Sequence, residues 1–123
     1  MDYVITISPG EIYDRVSILR IKTEKIQDRD KLVYVFEEYN RLNKYLTVEI
    51  TPAKEEGEKL YKVNKKLWDL ENTVRRLEKE KNFGEEFIET ARKIYKYNDK
   101  RAAIKNKINS IYKSSFKEVK EHI

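Results

Sequence analysis

Between Leu60 and Leu77 the apolar residues recur at intervals of three and four: Leu60, Val63, Leu67, Leu70, Val74 and Leu77. That spacing puts all six on one face of a helix, as the seam of an a/d pattern that only a second helix can cover. Flanking the seam on one edge are Asn64, Trp68, Glu71 and Arg75, while Lys62, Lys65, Asp69 and Arg76 occupy the opposite surface. A chain built around such a segment is committed to helix-on-helix packing.

The other segments follow suit. Ser8-Pro9-Gly10-Glu11 is a helix start, with Ser8 to cap, Pro9 at the first helical position and Glu11 three residues on to close a capping box. The helix that follows has a core face of Ile12, Val16, Leu19, Thr23 and Ile26, with Glu11, Arg15, Ile18 and Lys22 beside it and Asp14 at its margin. Asp28 to Asp30 marks a turn and a new cap, after which Leu32, Val35, Phe36, Tyr39, Leu42 and Leu46 give a second amphipathic helix. Thr47 to Ile50 reads as irregular, Thr51-Pro52 as a restart, and Asn82 to Glu85 as a break with a fresh cap. With 2 Pro and 3 Gly in 123 residues, little else interrupts the helices. The expected fold class is all-α: a single-domain, four-helix antiparallel bundle. Its parts are an extended arm over residues 1–8, helices over 9–27, 30–46, 52–81 and 85–113, and a polar, frayed tail over 114–123. The YVITI stretch of the arm, Tyr3 to Ile7, is β-branched but has no obvious partner strand. It is read as packing on the bundle or pairing with a second subunit.

Composition removes several kinds of function. Without cysteine there is no thiolate metal site or thiol nucleophile, and the only histidine, His122, rules out a His-based metal centre or a Ser-His-Asp triad. No cofactor motif and no glycine-rich phosphate loop is present. No apolar run approaches the roughly 20 residues that span a bilayer, and the expected compartment is the cytoplasm. The net charge of +5 invites a nucleic-acid reading of the last helix, where Lys93, Lys96, Lys100 and Lys107 share one side. With no recognition-helix or RNA-motif pattern beside them, these lysines read as a solvated face.

The inward side of that same helix is the unusual one. It carries Phe87, Ala91, Ile94, Asn98, Arg101, Ala102, Lys105, Ile108, Asn109 and Tyr112, so four polar residues sit where a bundle helix normally carries Leu or Ile. Buried charge requires a partner. Polar stripes thus stand on three helices: Glu11, Arg15 and Lys22 on the first, Asn64, Glu71 and Arg75 on the third, and Asn98, Arg101, Lys105 and Asn109 on the fourth, where Ala91 and Ala102 leave room for close approach. Two readings compete. The stripes can close on one another as interhelical salt bridges, for instance Glu71 with Arg101 or Lys105, and Glu11 with Arg15 or Lys22. Alternatively, the five cations Arg15, Lys22, Arg75, Arg101 and Lys105 outnumber Glu11 and Glu71 and bind an anion, with Trp68 or Tyr95 stacking on a ring.

The segments SPGEIYDRVSILRIK, NKKLWDLENTVRR and FIETARKIYKYNDKRAAIKNKIN resemble a family of small uncharacterised proteins from bacteria and their phages, over Ser8 to about Asn109. The resemblance implies a shared site made of Glu11, Asp14, Arg15, Lys22, Trp68, Glu71, Asn98, Asp99, Arg101, Lys105 and Asn109. It also implies a context of sugar-transfer and cell-surface polysaccharide genes, but no activity. Asn72 departs from the pattern, standing where an acidic residue is usual.

The expected function is a binding or accessory module holding a phosphate, carboxylate or nucleotide-sugar between the helices, through Glu11, Arg15, Lys22, Trp68, Glu71, Arg75, Asn98, Arg101, Lys105 and Asn109. One alternative is a small cofactor-free enzyme that works by electrostatic stabilisation, as all-helical chorismate mutases do. Another is a ligand-free homodimer formed through the arm and an exposed Ile21.

Overall fold

The structure is a computed structural model that describes residues 1–47 and 52–119. Four helices follow in order: α1 (Pro9–Lys25), α2 (Arg29–Thr47), α3 (Lys54–Lys79) and α4 (Glu85–Ile111), with no strand among the described residues. The expected irregular stretch after Thr47, the cap at Thr51 and the last residues of the tail, including His122, lie outside the described residues.

The local signals act through identifiable contacts. Ser8 caps α1 by accepting from the Glu11 amide, and Pro9 takes the first turn. Glu11 does not close a capping box; its carboxylate is turned toward Lys105 and Arg15 instead. Asp28 caps α2, its Oδ1 accepting from the amides of Asp30 and Lys31. α3 starts at Lys54, after Pro52, with Ala53 in the cap position. Both long helices end in a left-handed residue, Lys81 at φ 59° and Lys113 at φ 55°. In each case the next two amides fold back on the last turn: Lys81 N on Glu78 O and Asn82 N on Leu77 O, then Lys113 N on Ser110 O and Ser114 N on Asn109 O. This doubly hydrogen-bonded reversal usually carries glycine, and here lysine holds the strained position.

α1 is the hub. It packs against each of the other three helices, α3 and α4 pack along each other, and the backbone of α2 approaches α1 alone among the described residues. Contacts fix the directions. Gly10 meets Asn109 and Asp14 meets Arg101, so α1 runs antiparallel to α4, while Tyr13 lies against Gly57 and Ile21 shares a cavity with Leu67 and Trp68, so it runs parallel to α3. The seam read from the sequence does become core, with Leu60, Leu67, Leu70 and Leu77 buried and Val63 and Val74 half-buried. Tyr13, Ala53, Leu60 and Ile108 form one cluster, flanked by Leu46, Ile104, Ile111 and Tyr112.

Because three helices surround α1, it is buried on more than one face. Tyr13, Asp14, Val16, Ser17, Leu19 and Ile21 are all buried. Ile21, expected to be exposed at a dimer contact, is 1% exposed. α2 has the opposite fate: its backbone approaches one helix, Val35 is its one fully buried side chain among the described residues, and Phe36, expected in the core, is exposed together with Val33, Tyr34 and Tyr45. The arm does not pack on the bundle, since residues 1–6 are exposed.

Candidate functional site

Small residues open the way for a polar junction between α1 and α4. Gly10, Asp14, Ser17 and Ile21 stand at intervals of three and four on one arc of α1. A Cβ on Gly10 would lie 2.6 Å from the carbonyl oxygen of Lys105, so only glycine allows this approach. The Gly10 amide, one of the unpaired donors of the first turn, donates to Asn109 Oδ1 at 2.7 Å.

Behind that contact lies a closed ionic cluster. Asp14, 2% exposed, receives both ends of the Arg101 fork, Nε on Oδ1 at 2.9 Å and Nη2 on Oδ2 at 2.6 Å. Asn64 Nδ2 donates to the same Oδ1 at 2.9 Å and to Ser17 Oγ at 2.6 Å, while the Ser17 hydroxyl donates to the Asp14 carbonyl. Lys105 Nζ lies 2.8 Å from Glu11 Oε2, 2.7 Å from Glu118 Oε1 and 3.8 Å from Asp14 Oδ2. Arg15, on the exposed flank of α1, holds the other oxygen of Glu11 at 3.0 Å. No buried side-chain nitrogen or oxygen among the described residues lacks a partner.

The electrostatics follow from these contacts. Burial opposes the charge on Glu11, but hydrogen bonds and attraction from Lys105 and Arg15 outweigh it and leave its pKa below the ordinary value. Burial likewise opposes the Lys105 ammonium, and Glu11, Glu118 and Asp14 outweigh it and raise its pKa. The Asp14 hydrogen bond, partly offset by burial, raises that of Arg101. Three cations here face three carboxylates, so the surplus positive charge expected from sequence is absent: Asp14 and Glu118 supply the missing acids.

Toward the other end of the bundle the same helices enclose an open pocket of about 410 Å³. Ile18, Ile21 and Leu67 give it apolar surface, Trp68 forms a wall, and Asn64, Glu71, Asn72, Arg75, Asn98 and Arg101 bring polar groups to it. Glu71 and Arg75 stand one turn apart on α3, and neither forms an ion pair or hydrogen bond with a described residue. Arg101 spends Nε and Nη2 on Asp14, which leaves its Nη1 hydrogens available at the boundary of cluster and pocket.

The ten residues singled out from the sequence are thus divided. Trp68, Glu71, Arg75, Asn98 and Arg101 line the pocket. Glu11, Lys105 and Asn109 belong to the cluster and the junction beside it, with Arg15 attached at the edge. Lys22 is half-buried, lines no part of the pocket and pairs with no described residue. The Glu11–Arg15 pair anticipated from sequence forms; Glu71 pairs with neither Arg101 nor Lys105. Tyr95 is 57% exposed and away from the pocket, and Ala91 is exposed, so of the two alanines only the half-buried Ala102 is turned inward. Asp14 was legible as a polar residue at the margin of the core face of the first helix and as one of the residues the resemblance implies, whereas Ser17 was not singled out. Glu118 carried no periodic signal: it reaches Lys105 because the reversal at Lys113 turns the tail back along α4, where Asn106 Nδ2 donates to the Glu118 carbonyl and Asn106 Oδ1 accepts from its amide.

Among the described residues, no helix is long and apolar enough to cross a membrane. No group of His, Cys, Asp and Glu among them suits a metal ion. A family of unknown function (DUF6165) matches residues 3–122. No curated protein and no solved structure matches the chain.

Proposed function

The chain belongs to this family of unknown function, and we propose from the geometry that it is a binding module whose pocket between α1, α3 and α4 takes a small organic anion with an apolar or planar body. The observation that carries this reading is Arg75 with Glu71: two ionisable side chains at the rim of an apolar-floored pocket, bonded to no described residue. In the neighbouring cluster every ionic group is matched, so a lone arginine and carboxylate beside Trp68 stand out as contacts held for something else. The volume, about 410 Å³, falls in the range of small-molecule sites. Arg75 offers a two-pronged grip on a carboxylate or phosphate, Trp68 a face for a ring, and Glu71 an acceptor for hydroxyl or amino groups.

The enzyme reading asks for several free cations around one substrate. Lys105 and Arg15 are bonded to carboxylates and Arg101 is half committed, which favours binding over electrostatic catalysis. A thermal-shift panel of aromatic acids, sugar phosphates and nucleotide-sugars tests the proposal; the last are included because of the polysaccharide context that the resemblance implies. A ligand that raises the melting temperature of the wild type and not of Arg75→Ala supports it. An unmoved melting temperature across the panel, or equal shifts in both proteins, refutes it.

A further inference from the structure

Beside the pocket, and sharing Asn98 and Arg101 with it, is a second hollow of about 250 Å³ lined also by Ala102, Lys105 and Glu118. One of its walls, Glu118, comes from the protein's own tail. The Glu118 carboxylate sits 2.7 Å from Lys105 Nζ, yet the segment that delivers it is lightly held. Asn106 binds the Glu118 backbone, while Ser115, Phe116, Lys117 and Val119 around it are all exposed. Segments tied by a few polar contacts and no buried apolar surface open at low cost. The other acids on Lys105, Glu11 and Asp14, are carried by the hub helix itself.

We propose that this hollow is a carboxylate subsite of the same binding module, in which Glu118 stands in for a carboxylate of the ligand and leaves when the ligand enters. Charge selects the class of ligand. With Glu118 withdrawn, Arg15, Arg101 and Lys105 face Glu11 and Asp14, an excess of one positive charge. A carboxylate restores neutrality, whereas a phosphate dianion would leave a net negative charge beside the buried Asp14 and the half-buried Glu11. Lys105 then provides a point charge and the free Nη1 edge of Arg101 provides directed hydrogen bonds. Displacement of the tail also makes its position a report of occupancy: closed over Lys105 in the empty protein, released in the bound one.

This subsite rests on the pocket reading for the rest of its ligand, but it is testable alone. Acetate and inorganic phosphate are titrated at fixed ionic strength into wild type, Glu118→Gln and Asn106→Ala, with the backbone amides followed by NMR. The tethered Glu118 competes with added acetate, so its removal strengthens acetate binding severalfold in Glu118→Gln, by one plus the ratio of its effective concentration to its intrinsic dissociation constant. Asn106→Ala, which loosens the tail and keeps every charge, gives a smaller gain in the same direction. In the wild type, saturating acetate abolishes hydrogen-exchange protection of the Glu118 amide. Acetate affinity unchanged in both variants, a Glu118 amide still protected at saturation, or phosphate preferred to acetate in Glu118→Gln would each overturn the proposal. Arg75→Ala separates the two readings, because it removes binding in the pocket and leaves the acetate gain intact.

Discussion

Two regions of this bundle are made from the same helices and the same kinds of residue, yet they end differently. In the cluster around Asp14 and Lys105, each charge and amide meets a protein partner. In the pocket around Trp68, Glu71 and Arg75 lie within one turn of each other and meet none among the described residues. Helical phase does not separate the two, since both sets lie at or beside a core face. The difference lies in closure. Where Gly10 lets α1 and α4 touch, polar side chains are brought into bonding range and consume one another. Around the cavity lined by Ile18, Ile21 and Leu67, Glu71 and Arg75 meet no described residue. An inward polar residue in a bundle is therefore evidence of a ligand only after its protein partners have been accounted for.

If the cluster is structural and the pocket is not, mutations should separate them sharply. Asp14→Ala has the largest expected effect. It leaves the Arg101 fork and the Asn64 amide without their acceptor in a buried setting, which costs about 3–5 kcal/mol, or a fall of roughly 10–20 °C in melting temperature. A fall of a few degrees would place Asp14 with the pocket residues. Gly10→Ala comes next. The added methyl would press on the Lys105 carbonyl, which is backbone and cannot swing aside, so urea unfolding should show a loss of about 1–3 kcal/mol.

Acidity probes the cluster without mutation. Glu11 has a lowered pKa in the fold, so its contribution is complete above the ordinary value of 4.5 and is lost as pH falls through the lowered one. Lys105 has a raised pKa, so its contribution is complete below 10.5 and is lost as pH climbs through the raised one. Urea midpoints should hold level between about pH 5 and pH 10 and drop on both sides. A slope across neutrality would mean that other groups govern stability. Arg75→Ala, the pocket's counterpart to Asp14→Ala, should change stability by no more than about 0.5 kcal/mol, since no described residue bonds to it. A larger loss would bring the pocket into the structural half and remove the contrast.

The fold was largely legible because the signals that set it are local. The three-and-four spacing from Leu60 to Leu77, the Ser8-Pro9 start and the Asp28 cap each act within a few residues. What periodicity could not supply was the number of neighbours each helix meets. α1 has three and buries Ile21, whereas α2 has one and exposes Phe36, although both carry apolar residues at helical spacing. The site followed the same rule. Asn98, Arg101, Trp68, Glu71 and Arg75 could be found by phase, because an inward position is a property of one helix. That Lys105 would be consumed by Glu118, and Arg101 by Asp14, depends on a chain reversal and a glycine-permitted crossing that join distant segments.

Trp68 is the only tryptophan in the chain, so its fluorescence reports on the pocket alone. The most direct test of the central claim is to titrate the panel's best ligand into wild type, Arg75→Ala and Lys22→Ala while following that signal. The claim predicts a saturable change in the wild type, the same curve in Lys22→Ala because Lys22 does not line the pocket, and at least a roughly 10-fold weaker response in Arg75→Ala, the loss of one charged contact. A wild-type signal that stays flat while the ligand demonstrably binds, or identical curves in wild type and Arg75→Ala, would contradict it.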